Sequence, residues 1–527
     1  MSESTENHCT NQKIKQLKTN LSFWSPLNNS FAVPDKPSKC TWHKKVCPTA
    51  SPHRTQEWKR TSKLLPNVLS TIGNTPLIKL NKIPKDCGVV CDIYVKCEFF
   101  NPGGSVKDRI GYRMVEDAEK QGILKPGATI IEPSSGNTGI GIALAAAVKG
   151  YRCLIVMSEK MSNEKVSVLN ALGAEIVRTP VTADSDSPDG MFGVTHRLKN
   201  EIANSVILDQ YSNPGNSLAH YDTTAEEILD QCDGNVDMIV IGTGTGGTIS
   251  GIGRKIKEKS PNTVIVGADP EGSILALPAK LNETDVGFYE VEGVGYDFLP
   301  TVLDRSVVDK WVKTNDKDSL PMARRLIRDE GLLCGSSSGA NLSAAIIAAK
   351  DLKPGQRVVV ILPDSIRNYI TKFISDQWME ARDFQPCVNT KNHWWWDVPV
   401  TTIPLEKLQT ATPSMTCERV LNVMKKLGVD QVPLVDNNSI VIGMITLQNL
   451  MNGLISGRVQ SNQSIESIVM RIYPKVYTTA NLGVISRVLE KESYVMILEK
   501  QANGDKPVGI VTAIDLLKFI SESKPAN

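Results

Sequence analysis

A lysine just inside a strand–glycine-turn–helix junction can serve as a nucleophile, and residues 101–109, NPGGSVKDR, set Lys107 in such a junction. An apolar run with strand character, residues 89–100, precedes the turn, and helical spacing over residues 110–119 follows it. Open α/β sheets bind ligands outside the carboxyl ends of their strands, where this lysine would sit. Its amine attacks carbonyl groups only when unprotonated, so it needs burial or a bonded carbonyl partner. Lys107 is therefore a candidate Schiff-base lysine; the plainer reading is a solvated residue in a helix's first turn. The pattern G-x-x-x-x-G-K-[ST] is not met, which excludes a P-loop.

Three further turns carry donors for anions. Gly244, Thr245, Gly246, Gly247 and Thr248 follow an apolar strand and open a helix. Glycines let backbone N–H groups close on an anion, a helix N-terminus favours negative charge, and the threonine hydroxyls add donors. A phosphate site is the functional reading, a tight strand–helix turn the structural one. Ser134, Ser135, Gly136, Asn137 and Thr138 form a second polar turn able to hold a carboxylate, with the Asn137 amide free for a phenolate-type oxygen. Alone it is an ordinary helix cap. Ser336, Ser337 and Ser338, between two glycines, offer neutral hydroxyls in what alone reads as a flexible loop or cap. One lysine, one phosphate cradle and two small polar turns match the needs of pyridoxal phosphate: an amine for the aldehyde, amides for the phosphate, a partner for the pyridine nitrogen.

The elements around these turns alternate. Apolar runs at 128–132, 153–157, 174–178, 238–241, 264–268 and 358–362 read as strands, and helical spacing marks residues 140–149, 162–172, about 249–259 and 340–349. Strands alternating with helices of about ten residues predict a parallel sheet covered on both faces. Residues 384–400 break the pattern with Pro386, Pro399 and three consecutive tryptophans, Trp394 to Trp396, which should dock on a neighbouring domain. Beyond them, 432–435, 441–446 and 447–450 form a strand–strand–helix unit that 494–498, 508–512 and 513–516 repeat. Each copy is too small for its own core, so the two should pack together.

A chain of 527 residues holds roughly two to four domains. Its formal charge of +2 gives no reason to invoke nucleic acid or an anionic membrane. No apolar run reaches the ~18 residues of a membrane span, and the polar N-terminus lacks the apolar core of a signal peptide. Eleven scattered cysteines fit reduced thiols in the cytoplasm. The first 63 residues are polar and lack periodicity, which predicts a poorly ordered arm. Within it Cys40, His43, Cys47 and His53 leave three readings open: a zinc site, an iron-porphyrin site or an accident of composition.

Taken together, residues 101–109, 132–139 (EPSSGNTG) and 244–248 resemble the fold type II pyridoxal-phosphate enzymes, the cysteine synthase/cystathionine β-synthase family. Residues 293–298 (GVGYDF) resemble the substrate loop of its cystathionine β-synthase branch, residues 37–42 and 51–53 a haem-binding arm, and the C-terminal repeat the paired regulatory CBS domains, as in an invertebrate-type member. The resemblance implies an α/β fold type II core of two open subdomains over residues 64–383, an arm over 1–63, a linker over 384–400 and tandem CBS domains over 401–527. It makes Lys107 the Schiff-base lysine and gives the cofactor's 3′ oxygen to Asn137. Its phosphate falls to Gly244, Thr245, Gly246, Gly247 and Thr248, its pyridine nitrogen to Ser337. Ser134, Ser135, Thr138, Gly293 and Tyr296 bind substrate. Cys40 and His53 become axial ligands of haem b, with His43 and Cys47 as bystanders.

The implied reaction joins L-serine and L-homocysteine to L-cystathionine and water, in cysteine biosynthesis, with hydrogen sulfide production as a side activity. A homodimer or higher homo-oligomer is implied. A serine at the pyridine nitrogen does not force the ring to be protonated, which favours β-elimination over racemisation. The alternatives are a cysteine synthase using O-acetylserine and a non-catalytic haem or nucleotide sensor. Departures are few. Residues 260–263 lack the C-x-x-C pair of some members, and Ser336 and Ser338 replace small residues beside the cofactor. Val429 stands where S-adenosylmethionine-responsive members have Phe, although Thr512 and Asp515 keep the ribose-binding pattern; weak or absent effector binding is expected.

Overall fold

The computed structural model describes residues 64–523, apart from residues 135, 160, 181–186, 287, 390, 406–407, 456, 458 and 472. Among the described residues the first strands are β1 (Leu77–Lys79) and β2 (Asp92–Cys97), and α1 (Lys107–Lys120) begins at the lysine itself. A four-strand run follows: β3 (Thr129–Pro133), α2 (Asn137–Lys149), β4 (Arg152–Ser158), α3 (Asn163–Ala171), β5 (Glu175–Thr179), α4 (Met191–Glu201) and β6 (Ser205–Ile207). Two short helices, α5 (Pro214–Ala219) and α6 (Ala225–Gln231), flank a π-helical turn at His220–Thr224. Then come β7 (Met238–Gly242), α7 (Gly247–Lys259), β8 (Val264–Pro270), β9 (Lys310–Thr314), α8 (Asp316–Glu330), α9 (Ser336–Ala348), β10 (Arg357–Leu362) and α10 (Asp376–Glu380).

These strands form two sheets, in line with the two open subdomains that the resemblance implies, where local patterning alone predicts a parallel sheet. One has the order β1-β2-β10-β7-β8-β9, with only β1 antiparallel; the other, β5-β4-β3-β6, is parallel throughout. Local hydrophobicity identifies buried strands but not their neighbours, so the division was not legible in it. Central β10 is apolar and buried because helices cover both faces of its sheet. In the smaller sheet's layer, α1 and α2 pack backbone to backbone: a Cβ on Gly111 would lie 2.6 Å from the Gly141 carbonyl carbon. The carboxyl ends of β2, β3, β7 and β10 thus deliver four turns to one cleft.

The C-terminal part comprises α11 (Cys417–Leu427), β11 (Gln431–Val435), β12 (Val441–Thr446) and α12 (Leu447–Ile455). The second copy comprises β13 (Lys475–Tyr477), α13 (Leu482–Leu489), β14 (Tyr494–Gln501), β15 (Gly504–Thr512) and α14 (Ala513–Glu522). The strand–strand–helix repeat stands as read. Each half has its core, and Met444, Tyr494, Met496 and Leu498 form a third cluster joining them. The tryptophans dock as expected: Trp396 is buried, Trp395 packs on the second half's core, and Trp394 stays 40% exposed beside Phe519. Arg487 of α13 lies over the Trp396 ring and pairs with Glu380 of α10 at 2.8 Å. The eight cysteines among the described residues are free. No helix among those residues is long and apolar enough to cross a membrane.

Candidate active site

Lys107 is held from both sides of its turn. Val106 N–H donates to Pro363 O at 2.8 Å and Lys107 N–H to Ser105 Oγ at 3.1 Å, fastening the turn to the end of β10. The Asp108 carboxylate accepts Gly103 N–H at 2.5 Å in full burial, which pushes its pKa up to about 7. Arg109 meets Glu98 at 2.7 Å and Glu227 at 2.6 Å, and Lys96 meets Glu227 at 2.7 Å. Two cations and two carboxylates so buried offset one another's desolvation. The Lys107 side chain alone is left to the cleft, its Nζ 3.4 Å from Thr245 Oγ1. The walls desolvate the ammonium and no carboxylate compensates, so its pKa falls to about 8. At pH 7 that leaves roughly a tenth of the amine neutral, against about one part in three thousand at the ordinary value.

Lys107 shares a cavity with Gly244, Gly246, Thr248 and Gly293. Among the described residues nothing accepts the backbone N–H groups of residues 244–248. Gly246 adopts φ 88°, and α7 starts at Gly247, so these donors gather at a helix N-terminus. An amine, free amides and the Thr245 and Thr248 hydroxyls, with no acidic residue among the described residues that line the cavity, suit an aldehyde carrying a phosphate. The residues fit pyridoxal phosphate.

Asn137, at the start of α2, donates to Asp364 Oδ2 at 2.8 Å and accepts from Asn368 Nδ2 at 3.0 Å. Tyr369 O–H donates to the same Asp364 oxygen at 2.5 Å, and burial raises the Asp364 pKa. Ser337 is buried in the first turn of α9 with Ser336 and Ser338, and Ser336 Oγ accepts Glu292 N–H at 3.4 Å. The serine turn is thus the helix's first turn rather than a loop before it.

In the turn over residues 134–138 the side chains bond mostly within the fold. Ser134 Oγ accepts Gly136 N–H at 3.1 Å and Gly139 N–H at 2.9 Å, and Thr138 donates to Gln210 at 2.7 Å. Thr138 gives its proton to Gln210, whereas Ser134 only accepts and keeps its own, so the groups left for an anion are the Ser134 O–H and the N–H groups of Asn137 and Thr138, for which no acceptor stands among the described residues. Ser135 lies outside the described residues, as do Cys40, His43, Cys47 and His53. Tyr296 meets Tyr211 with hydroxyls 3.3 Å apart, and both rings stand near Phe298.

Residues that motif reading missed hold these parts. Glu132 accepts Asp209 and Gln210 N–H at 2.9 Å each, and burial pushes its pKa up to about 8. It fixes the loop that brings Gln210 and Tyr211 to the cleft. Lys165 of α3 reaches Glu292, which immediately precedes Gly293, at 2.5 Å, and Lys372 binds the same carboxylate. The Asn213-Pro214 pair, a cap followed by an N1 proline, was the available signal for α5. In the C-terminal part, Thr512 N–H and O–H both donate to Asp515 at 2.8 and 2.7 Å, while Val429 packs partly buried on the first half's core.

A family model described as "Pyridoxal-phosphate dependent enzyme" matches residues 68–364, and one described as "CBS domain" matches residues 400–456. The chain is 54% identical to cystathionine beta-synthase of Apis mellifera, over 94% of this chain and 99% of the bee protein. It is 52% identical to that of Mus musculus, over 93% of this chain and 91% of the mouse protein. The crystal structure of the O-acetylserine dependent cystathionine beta-synthase from Helicobacter pylori superimposes with a TM-score of 0.54 at 37% identity, covering 59% of this chain and 99% of that one.

Proposed function

Since the chain belongs to the pyridoxal-phosphate-dependent enzymes, in their cystathionine β-synthase family, and is accordingly a lyase that makes cystathionine with that cofactor, we propose that its substrates are L-serine and L-homocysteine and that Lys107 carries the protons. The observation that carries this division of work is the Lys107 amine, with its pKa lowered to about 8, facing a cavity of free amides without a carboxylate. Pyridoxal phosphate, when bound, supplies an electron sink that lets the Cα–H and Cβ–O bonds of serine break. Lys107 binds its aldehyde, residues 244–248 its phosphate, Asn137 its 3′ oxygen and Ser337 its pyridine nitrogen. The amides at the start of α2 orient the serine carboxylate. Once the serine amine displaces it from the aldehyde, the freed Lys107 Nζ would take the Cα proton, the hydroxyl would leave as water with the homocysteine thiol's proton, the sulfur would join Cβ, and Lys107 would return a proton to Cα. A cysteine in serine's place would release hydrogen sulfide by the same route. The related proteins do not favour a cysteine synthase.

The arm is assigned to haem through Cys40 and His53, on its resemblance to the family's haem-binding segment. The assembly is a homodimer or larger homo-oligomer, and S-adenosylmethionine binds weakly or not at all, since Val429 offers no stacking surface. The experiment for the reaction is product analysis with purified protein and cofactor. Cystathionine from serine and homocysteine is expected; product only when O-acetylserine replaces serine would overturn the substrate assignment.

A further inference from the structure

We infer that Asn216 and His220 form a donor layer behind the phosphate loop, which turns the hydroxyl protons of Thr245 and Thr248 toward the cofactor's anion. This rests on the assignment of residues 244–248 to the phosphate. Neither residue has a part in the reaction above, yet both are fully buried against the loop.

The sequence of α7 makes room for them. A Cβ on Gly247 would stand 1.8 Å from Asn216 Oδ1, and one on Gly251 would stand 2.2 Å from Ser217 O and 2.8 Å from His220 Cβ. Gly247 and Gly251 are one helical turn apart, so α7 presents a bare face on which α5 and the π-helical turn rest directly. π-Helical turns are rare and concentrate at functional sites.

The direction of each bond follows from its partners. Asn216 Nδ2 lies 2.7 Å from Gln210 O, a carbonyl that can only accept, so this atom is the amide nitrogen. The same nitrogen donates to Thr245 Oγ1 at 3.0 Å, and Lys107 Nζ donates to that oxygen at 3.4 Å. Thr245 therefore accepts on its inner side, and its own proton is free to point elsewhere.

His220 lies between two hydroxyls, with Nδ1 2.9 Å from Thr224 Oγ1 and Nε2 3.2 Å from Thr248 Oγ1. Burial, reinforced by the Arg109 cation, lowers its pKa to about 3, so the ring carries one proton at neutral pH. Thr224 is buried, and the ring is its hydroxyl's sole partner among the described residues. With the ring proton on Nδ1, the Thr224 proton would be buried without an acceptor and Thr248 would give its own to Nε2. With the proton on Nε2, Thr224 donates to Nδ1, Nε2–H donates to Thr248, and the Thr248 proton is left for the phosphate. Only this tautomer satisfies every buried donor.

The test titrates cofactor-free full-length protein with pyridoxal phosphate and follows the bound phosphate by phosphorus NMR. His220→Phe is expected to weaken cofactor binding about tenfold and shift the phosphorus resonance, with Asn216→Ala acting in the same direction. His220→Gln, which keeps an amide donor, is expected to stay within about threefold of wild type. If Thr248→Val weakens binding while His220→Phe and Asn216→Ala change neither affinity nor resonance, the donor layer is refuted and the phosphate assignment stands. If Thr248→Val also changes nothing, the assignment itself fails and the donor layer with it. Nitrogen NMR of the imidazoles in wild-type holoprotein needs no variant: a proton on Nε2 of His220 is expected, and a proton on Nδ1 overturns the inference.

Discussion

Gly141 lies against the backbone of Lys107: a Cβ at position 141 would stand 2.6 Å from the Lys107 carbonyl oxygen. Backbone cannot yield as a flexible side chain does, so a larger residue must move the first turn of α1, and the amine with it. Gly141→Ala is expected to cost about 1–3 kcal/mol of stability and at least about tenfold in kcat/KM, since small misplacements near the chemistry are amplified. Thermal unfolding and steady-state kinetics check this. Wild-type values in both would show that the close approach does not set the position of Lys107.

The depressed pKa of Lys107 fixes the sign of a pH effect. Only the free amine condenses with an aldehyde, so cofactor capture by cofactor-free protein should quicken about tenfold per pH unit below the lysine's pKa and level off above it. The bend belongs near pH 8. Rapid-mixing absorbance measurements from pH 6 to 10 give the profile. A rate still climbing toward pH 10 would mean that the cleft leaves the lysine unperturbed.

The proposed haem ligation by Cys40 and His53 makes a spectroscopic prediction. The purified protein should show a Soret band, lost or shifted in both Cys40→Ser and His53→Ala. Stoichiometric zinc without a Soret band would return the arm to the reading in which Cys40, His43, Cys47 and His53 ligate together.

For the regulatory pair, the Thr512 and Asp515 side chains bond to each other, and Val429 packs on the first half's core instead of offering an aromatic face. Losing a stacked aromatic costs about 0.5–1.5 kcal/mol beyond its buried area. Calorimetric titration with S-adenosylmethionine is expected to give no micromolar binding, and activity should change by less than about twofold. Micromolar binding with several-fold activation would show that Thr512 and Asp515 suffice.

What could be read in the sequence was what is local. Lys107, residues 244–248 and the serine turn announce themselves because glycines and hydroxyls fall within a few positions of a strand end. The serine turn, which alone reads as a loop or a helix cap, is the first turn of α9, because a helix begins with the free N–H groups that such turns expose. Supporting residues were illegible for the opposite reason. Glu227 is 118 positions from Arg109, and Asp364 is 227 from Asn137, distances over which no periodicity speaks. Thr138 gives its hydroxyl proton to Gln210 and Ser134 accepts two of the turn's own amides, bonds visible only once Gln210 and those amides are in place.

The measurement that bears most directly on the role of Lys107 is the behaviour of Lys107→Ala, assayed as purified full-length protein with added pyridoxal phosphate, serine and homocysteine. The variant should fold, because the anchors of its turn lie in Asp108, Arg109 and Ser105 rather than in the lysine. It should form no cystathionine and lack the visible absorbance of the lysine-bound cofactor, with circular dichroism unchanged. Cystathionine formation by that variant at a wild-type rate would contradict the account.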